Sequence, residues 1–311
     1  MKNKQLPTFQ LQFLLPKYWL LWFGIFIFRI ILLLPYCWLV KIGKGLGKLF
    51  VKFKFGQRRL AIARRNIELC FPQLTEQEKT ELLQRNIDSI GMAIIETGMA
   101  WFWSDRRIKK WSRIEGLEHL QNNAQQGIIL IGIHFLTLEL GARIIGIHHQ
   151  GIGVYRPNDN PLFDWIQTRG RVRSNKDMLD RHNLRGMIKA LRQGESIWYA
   201  PDHDYGRKSA VFVPFFAVPD AATTTGTAFL TRNCPDSVVI PFAPLRHHDH
   251  SGYTVSISAP IDLSDCEDDE QIATRVNQAI EQEINKDPSL YMWLHRRFKT
   301  RPEGKETLYQ E

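Results

Sequence analysis

The stretch IILIGIHFLTLELGARIIGI, residues 128–147, decides the fold class. Its first seven residues, 128–134, form an apolar run rich in isoleucine, which is typical of a strand buried on both faces. From residue 137 to residue 147 the apolar positions recur at helical spacing, which predicts a helix. A buried strand followed at once by an amphipathic helix is a repeating unit of α/β domains. We therefore expect a sheet flanked by helices.

The same alternation continues toward the carboxyl terminus. Strands are predicted at 153–156, 196–200, 238–245 and 253–259, and helices at 161–171, 184–194 and 267–284. Residues 58–103 predict helices separated by a turn near Pro72. No Pro/Gly/Ser-rich linker divides the chain, and 311 residues suffice for one large core. We expect one α/β domain over residues 66–311.

An apolar run occupies residues 18–34 and is broken only by Arg29. As a helix these 17 residues would extend roughly 25 Å, which with its flanks is just enough to cross a bilayer. Tryptophan and tyrosine near both ends suit the membrane interface. We expect a membrane anchor over residues 1–40, either a single span or, because of Arg29 and the kink expected at Pro35, an interfacial hairpin. A buried core helix is the alternative.

The segment 41–65 carries nine Lys/Arg and no Asp or Glu. Such a segment favours anionic lipid, and the positive-inside rule then places the following domain in the cytoplasm. The net charge of +9 also suits an acidic protein partner. No nucleic-acid-binding signature accompanies the basic segment, so we do not expect nucleic acid as a partner. The four cysteines form no CxxC pair, which suits a reducing compartment.

His134 and Glu139 form an H-x4-E pattern across the strand-to-helix junction. Because chemistry in open α/β sheets lies at the carboxyl ends of strands, we expect the Glu139 carboxylate to hydrogen-bond and orient the His134 imidazole as a general base. A structural histidine is the alternative. No Gly-x-Ser-x-Gly elbow, reactive cysteine or P-loop is present. This favours direct attack by a hydroxyl on a thioester, without a covalent intermediate or a cofactor.

Further candidate substrate-binding residues follow two other predicted strands. They are Arg156 and Asn158 in VYRPNDNP (154–161), Arg171 at the end of the next helix, and Asp202, His203, Asp204 and Arg207 in YAPDHDYGRKS (199–209). The arginines suit phosphate or carboxylate groups, although a solvated surface and an ordinary polar loop are the alternatives. Adjacent residues make a poor metal site, so none is expected. The apolar segment 211–230 is expected to line an acyl-chain channel or to pack in the core.

Several long blocks resemble one known family. They are YRPNDNP, RSNKDMLDR, GMIKAL, WYAPDHDYG, VFVPFFAV, AATTTGT and YMWLHRRFKTRPEG. Together they are similar to the late acyltransferases of bacterial lipid A biosynthesis, and most to the lauroyl-transferring type, from Lys17 to Gly304. The resemblance implies a glycerophosphate-acyltransferase-like mixed sheet, with the family's H-x4-D/E motif at His134 and Glu139.

The resemblance also implies a reaction and a location. His134 would deprotonate a 3-hydroxyl on an acyl chain of Kdo-lipid IV(A), and acyl-acyl-carrier protein would be the donor. The enzyme would lie at the bacterial inner membrane, single-pass or monotopic. The sequence PDHDYG stands where glycerophosphate enzymes have an EGTR-type loop, which argues against a simple glycerophosphate acceptor. Two alternatives stay open: another phospholipid or glycolipid acceptor, and a non-catalytic lipid-binding protein.

Overall fold

A computed structural model describes residues 7–309 of the chain, and these form a mixed α/β fold. The strands are β1 (Ser112–Glu115), β2 (Ile128–Ile131), β3 (Ile152–Tyr155), β4 (Asp177–Asp180), β5 (Ser196–Tyr199), β6 (Ala210–Phe215), β7 (Val218–Thr224), β8 (Val238–Arg246) and β9 (Tyr253–Ile257). Within the described chain, the central sheet has seven strands in the order β1-β9-β8-β2-β5-β3-β4, and β6 pairs with β7 in a hairpin.

Helices cover the sheet and precede it. They are α1 (Trp19–Ile31), α2 (Tyr36–Phe50), α3 (Lys54–Cys70), α4 (Glu76–Phe102), α5 (Asp105–Trp111), α6 (Leu117–Gln121), α7 (Leu138–His148), α8 (Pro161–Arg171), α9 (Leu184–Arg192), α10 (Gly226–Asn233) and α11 (Asp269–Lys286). The α/β class predicted from the sequence is confirmed. The predicted domain boundary at residue 65 falls inside α3.

The candidate site lies at the edge of the sheet where the parallel strands end. Strands β2, β3, β4, β5 and β8 run parallel, and β9 pairs with β8 in the opposite direction. Each residue of β2 is buried, as its unbroken apolar sequence predicts. Because β2 lies between β5 and β8, the loops that follow β2 and β5 leave the sheet side by side.

The amino-terminal segment differs from the predicted span. The 17-residue helix expected over residues 18–34 is wrong, because α1 has only 13 residues and the chain turns at Leu32 before α2 begins. Pro35 lacks the N–H that a continuing helix would need, and it is the residue immediately before α2. Across residues 7–309, none of the helices combines the length and the apolarity that crossing a membrane requires.

A close contact between α2 and α4 connects the amino-terminal helices to the domain. A methyl group added at Gly47 would lie 2.2 Å from the carbonyl oxygen of Ile87, and one at Gly91 would lie 2.0 Å from that of Gly43. Glycine at these positions therefore lets two helix backbones touch. A buried ion pair lies beside this contact, where Arg246 Nη1 donates to Glu96 Oε1 at 2.7 Å.

Candidate active site

His134 lies in the loop after β2, and Asp202 lies in the loop after β5. The backbone N–H of His134 donates to Asp202 Oδ2 at 2.9 Å, and its ring Nδ1 lies 2.7 Å from Oδ1. The Asp202 side chain is fully buried, whereas the His134 side chain is 23% exposed. One carboxylate therefore fixes both the backbone and the ring of His134.

This pairing sets the tautomer of the imidazole. Burial alone would raise the pKa of Asp202, but the charge of His134 and its hydrogen bonds hold that pKa well below its ordinary value. An ionised Asp202 can only accept, so the His134 Nδ1–H donates. In the neutral form of the ring the lone pair is therefore on Nε2. An imidazole in this state can take a proton from a hydroxyl.

Two more histidines stack behind His134. The ring of His203 lies 3.5 Å from that of His134 at an angle of 11°, and the ring of His295 lies 4.0 Å from that of His203 at 14°. Burial, followed by the charge of His134, lowers the pKa of His203 to about 2. His203 is therefore neutral near pH 7 and forms an aromatic support for the base.

Glu139 does not contact the ring as predicted. Its carboxylate accepts two hydrogen bonds from Arg171, at 2.9 Å from Nε and 2.8 Å from Nη2, and one at 2.7 Å from Trp101 Nε1. The predicted His134–Glu139 hydrogen bond is wrong. The physical reason is that Glu139, in the first turn of α7, faces α4 and α8, whereas Asp202 reaches the ring from the loop after β5.

Burial raises the pKa of Glu139, but the charge and hydrogen bonds of Arg171, with the bond from Trp101, lower it overall. Burial lowers the pKa of Arg171, and Glu139 raises it overall. Both groups are thus charged at neutral pH. The bidentate geometry also fixes the direction of the guanidinium.

A cleft of about 440 Å³ brings these groups together. His134, Glu139, Arg143, Arg156 and Arg171 line it as charged or titratable groups. Its apolar wall includes Ala93, Ala100 and Trp101 of α4 and Trp198 of β5. An apolar enclosure with a few converging polar groups, in this size range, is typical of a small-molecule site.

The other predicted site residues are divided between the cleft and its surroundings. Arg156 lines the cleft, is 63% exposed and pairs with Asp159 at 3.1 Å. Asn158 has a backbone N–H that donates to Asp164 Oδ1 at 2.7 Å, outside the cleft. Arg207 donates to the carbonyl of Arg301 at 2.7 Å.

Asp202, His203 and Asp204 do not line the cleft. Asp202 is hydrogen-bonded to His134, and the ring of His203 is stacked on that of His134. Asp204 accepts from the backbone N–H and the hydroxyl of Thr300, at 2.7 and 2.8 Å, and from the N–H of Gly206 at 2.9 Å. The Asp204 carboxylate thus fastens the loop after β5 to the carboxyl-terminal segment.

The ligand-type atoms of His134, Asp202 and His203 lie within 4.8 Å of one another. Both Asp202 oxygens, however, accept hydrogen bonds from His134, and the two rings are stacked nearly parallel. In-plane nitrogen lone pairs of parallel stacked rings do not converge on a tetrahedral ion. The arrangement is that of a hydrogen-bonded base with an aromatic support.

Of the two interpretations of residues 211–230, the structure agrees with packing in the core rather than with an acyl-chain channel at this cleft. This segment forms β6, β7 and the start of α10, and none of its residues lines the cleft. The hairpin packs on α11, where Asn277 Nδ2 donates to the carbonyl of Pro214 at 2.8 Å. Its alternating small and apolar residues are explained by this packing.

Trp101 and His295 are site residues that the sequence did not indicate. Trp101 reaches Glu139 from 38 positions away, and His295 stacks on His203 from 92 positions away. Trp101 lies in none of the quoted blocks. His295 lies within YMWLHRRFKTRPEG, a block that indicated the family but no role for this histidine. Only the packing of α4 and of the carboxyl-terminal segment brings them to the site.

Comparison with known proteins identifies the family. Residues 6–300 match the family described as "Bacterial lipid A biosynthesis acyltransferase". The chain belongs to this family, and it is an acyltransferase. The resemblance that the sequence blocks indicate is therefore confirmed.

Curated relatives align over nearly the whole chain. A lipid A biosynthesis acyltransferase of Haemophilus influenzae is 68% identical over 98% of both chains. The lipid A biosynthesis lauroyltransferase of Escherichia coli is 53% identical over 98% of this chain and 99% of its own. The palmitoleoyltransferase of the same organism is 45% identical over 97% and 98%. Among solved structures, the 1-acyl-sn-glycerophosphate acyltransferase PlsC of Thermotoga maritima gives a TM-score of 0.38 at 12% identity, covering 74% of this chain and 97% of that one.

Proposed function

We propose that this acyltransferase transfers a lauroyl chain from acyl-acyl-carrier protein to a hydroxyl of Kdo-lipid IV(A). The observation that carries the mechanism is the His134 ring, which lines the cleft and is held by Asp202 through Nδ1, so that the bond leaves Nε2 as the proton-accepting nitrogen. The 53% identity to a lauroyltransferase supports the choice of lauroyl. The 45% identity to a palmitoleoyltransferase makes acyl length the first property to test.

The transfer needs one proton-accepting group. As the acceptor hydroxyl attacks the thioester carbonyl, its proton passes to His134 Nε2, and the buried Asp202 stabilises the imidazolium. The carbon–sulfur bond then breaks, and the imidazolium returns the proton to the leaving thiolate, which leaves as a thiol. No covalent enzyme intermediate is required.

Arg171 supplies positive charge at the same cleft. Glu139 holds the guanidinium of Arg171 through two hydrogen bonds, and Arg171 and Arg156 both line the cleft. We assign Glu139 the role of positioning Arg171, and Arg171 the role of meeting an anionic group of the acceptor or the charge that develops on the carbonyl oxygen. This role replaces the direct contact with His134 that the spacing predicted.

The donor is proposed to bind at a basic groove of about 750 Å³. Four arginines and one acid, Glu68, line it, and the arginines are Arg58, Arg64, Arg65 and Arg296. The groove borders the segment that contributes to the site, because Arg296 follows His295 and Arg59 Nη1 donates to the carbonyl of Leu294 at 3.3 Å. Acyl carrier protein is small and acidic, and charge complementarity favours its encounter with such a groove.

Membrane attachment is proposed to be monotopic, through the exposed side of α1 and the turn that follows it. The exposed apolar side chains there include Trp19, Leu20, Phe23, Phe26, Ile30 and Leu33. A surface of this kind next to the basic α2 suits a helix that lies in one leaflet. The cleft would then open next to the lipid that supplies the acceptor.

One experiment tests donor, acceptor and transfer number together. The purified enzyme is incubated with a mixture of acyl-acyl-carrier proteins and Kdo-lipid IV(A), and the products are identified by mass. We expect one added lauroyl chain, and severe loss of product for His134→Ala, by about 10²–10⁴-fold. A different dominant acyl mass would change the donor, and wild-type-like turnover of His134→Ala would remove the mechanism.

A further inference from the structure

A cavity of about 630 Å³ lies at the turn between α1 and α2, apart from the cleft and the basic groove. We call it the turn pocket. The residues that matter here are Tyr36, Arg106, Arg107, Lys110 and Trp111, all of which line it. The rings of Tyr36 and Trp111 lie 4.6 Å apart and form its aromatic side. No step of the proposed acyl transfer uses this cavity.

The turn pocket carries uncompensated positive charge. Within residues 7–309, none of Arg106, Arg107 and Lys110 pairs with a carboxylate. The neighbouring acid, Asp105, forms an ion pair with Arg143. Three cations that converge on one cavity without an acid favour an anionic ligand with several acceptor oxygens, such as a phosphate.

Apolar surface adjoins these cations. Arg107 Nη1 and Nη2 donate to the carbonyls of Leu32 and Leu34, each at 2.8 Å, so that the guanidinium fixes the turn at the end of α1. On that turn Leu33 is 75% exposed, and Trp38 on the next helix is 55% exposed. A ligand that fills the pocket and also covers these side chains must join an anionic group to hydrocarbon.

We propose that the turn pocket binds the headgroup phosphate of an anionic bilayer lipid, whose acyl chains lie against the exposed apolar side of α1. This inference rests on the proposed monotopic attachment. Arg106 and Lys110 contact the phosphate, while Arg107 is held by the turn and adds charge. The helix that carries these cations also contacts the cleft, because Asp105 of α5 pairs with Arg143, which lines the cleft.

The test compares binding of the full-length protein to two kinds of vesicle. One is phosphatidylcholine alone, and the other contains phosphatidylglycerol as a minority lipid. The double variant Arg106→Glu/Lys110→Glu is compared with Lys109→Glu/Arg113→Glu, which makes the same change of charge at two exposed residues that do not line the pocket. Binding is followed by co-sedimentation.

We expect the wild type to bind the phosphatidylglycerol vesicles more tightly. The pocket variant should lose at least about 30-fold in that affinity, which is the loss expected from removing two cations at an anionic surface, before the repulsion of the two added carboxylates. The control variant should lose less than about threefold, and inorganic phosphate should not displace the vesicles. Binding of both variants to phosphatidylcholine alone should not change.

Other results would overturn the proposal in distinct ways. Equal losses in the two variants would mean that diffuse surface charge acts, and no loss in either would mean that the pocket is not used. Displacement by inorganic phosphate would assign the pocket to a soluble anion. Failure of the wild type to bind either vesicle would overturn monotopic attachment together with this inference, whereas the other outcomes leave attachment intact.

Discussion

Asp202 and Glu139 are both near the proposed base, and mutation can show which of them supports it. Asp202→Asn keeps the shape of the side chain but removes its charge. It weakens a buried, charge-assisted hydrogen bond at 2.7 Å, a class of interaction worth about 1.5–3 kcal/mol. That range alone corresponds to about 10–150-fold in rate.

The amide also allows the other histidine tautomer, in which Nδ1 accepts and Nε2 carries the proton. The corresponding change in a serine protease triad lowers turnover by about 10⁴-fold. We therefore expect Asp202→Asn to lower kcat by about 10²–10⁴-fold. The steady-state rate with lauroyl-acyl-carrier protein and Kdo-lipid IV(A) measures it.

Double-mutant cycles separate the two acids. If Asp202 acts through His134, then adding Asp202→Asn to His134→Ala should lower the remaining rate by less than about threefold. Glu139→Gln should still lower the rate in the His134→Ala background, but should have little further effect in Arg171→Gln. Full additivity of Asp202→Asn with His134→Ala, or wild-type turnover of Asp202→Asn, would refute the pairing deduced from the geometry.

Three other predictions concern the donor, the fold and pH. The double variant Arg58→Glu/Arg64→Glu should raise KM for the acyl-carrier-protein donor at least about tenfold and leave KM for a small acyl thioester unchanged. Equal changes of KM for both donors would exclude docking of the carrier protein at the basic groove. Gly47→Ala should lower the free energy of unfolding by about 1–3 kcal/mol, because its methyl group would meet the Ile87 carbonyl at 2.2 Å. Gly45→Ala, whose methyl group meets nothing within 4 Å, should be neutral or slightly stabilising, and differential scanning calorimetry measures both. The lowered pKa of His203 means that below pH 6.5 the unfolded chain binds a proton that the native protein does not bind. Stability should therefore fall as pH falls from 6.5 toward about 2, with a contribution of up to about 1.4 kcal/mol per pH unit. His203→Gln should show a shallower pH dependence of the melting temperature, and an unchanged slope would contradict a neutral, buried ring.

The elements predicted from the sequence with most success are those whose pattern is local. The strand ending near His134 and the helix after it match β2 and α7, because a buried apolar run and a helical period each appear within one short window. The helix over 161–171 coincides with α8, which has Pro161 at its start and is capped by the Asn160 side chain. The β6–β7 hairpin was missed, since its Pro and Phe residues obscured the alternation of a strand.

The contacts within the site could not be predicted in the same way, because they join parts of the chain that are distant in sequence. The H-x4-E spacing located both residues at the cleft but could not give the direction of the Glu139 side chain, which depends on where α4 and α8 pack against α7. Asp202 was noticed as one polar residue of a loop, and its role follows only from the adjacency of β2 and β5. Two parallel strands that lie side by side end at the same edge, so a residue just after one strand can hold a residue just after the other. A sequence motif indicates which side chains lie at that edge. The strand order determines which of these side chains contact each other. In this chain the strand order pairs the base with the acid 68 residues away and leaves the acid five residues away to position an arginine.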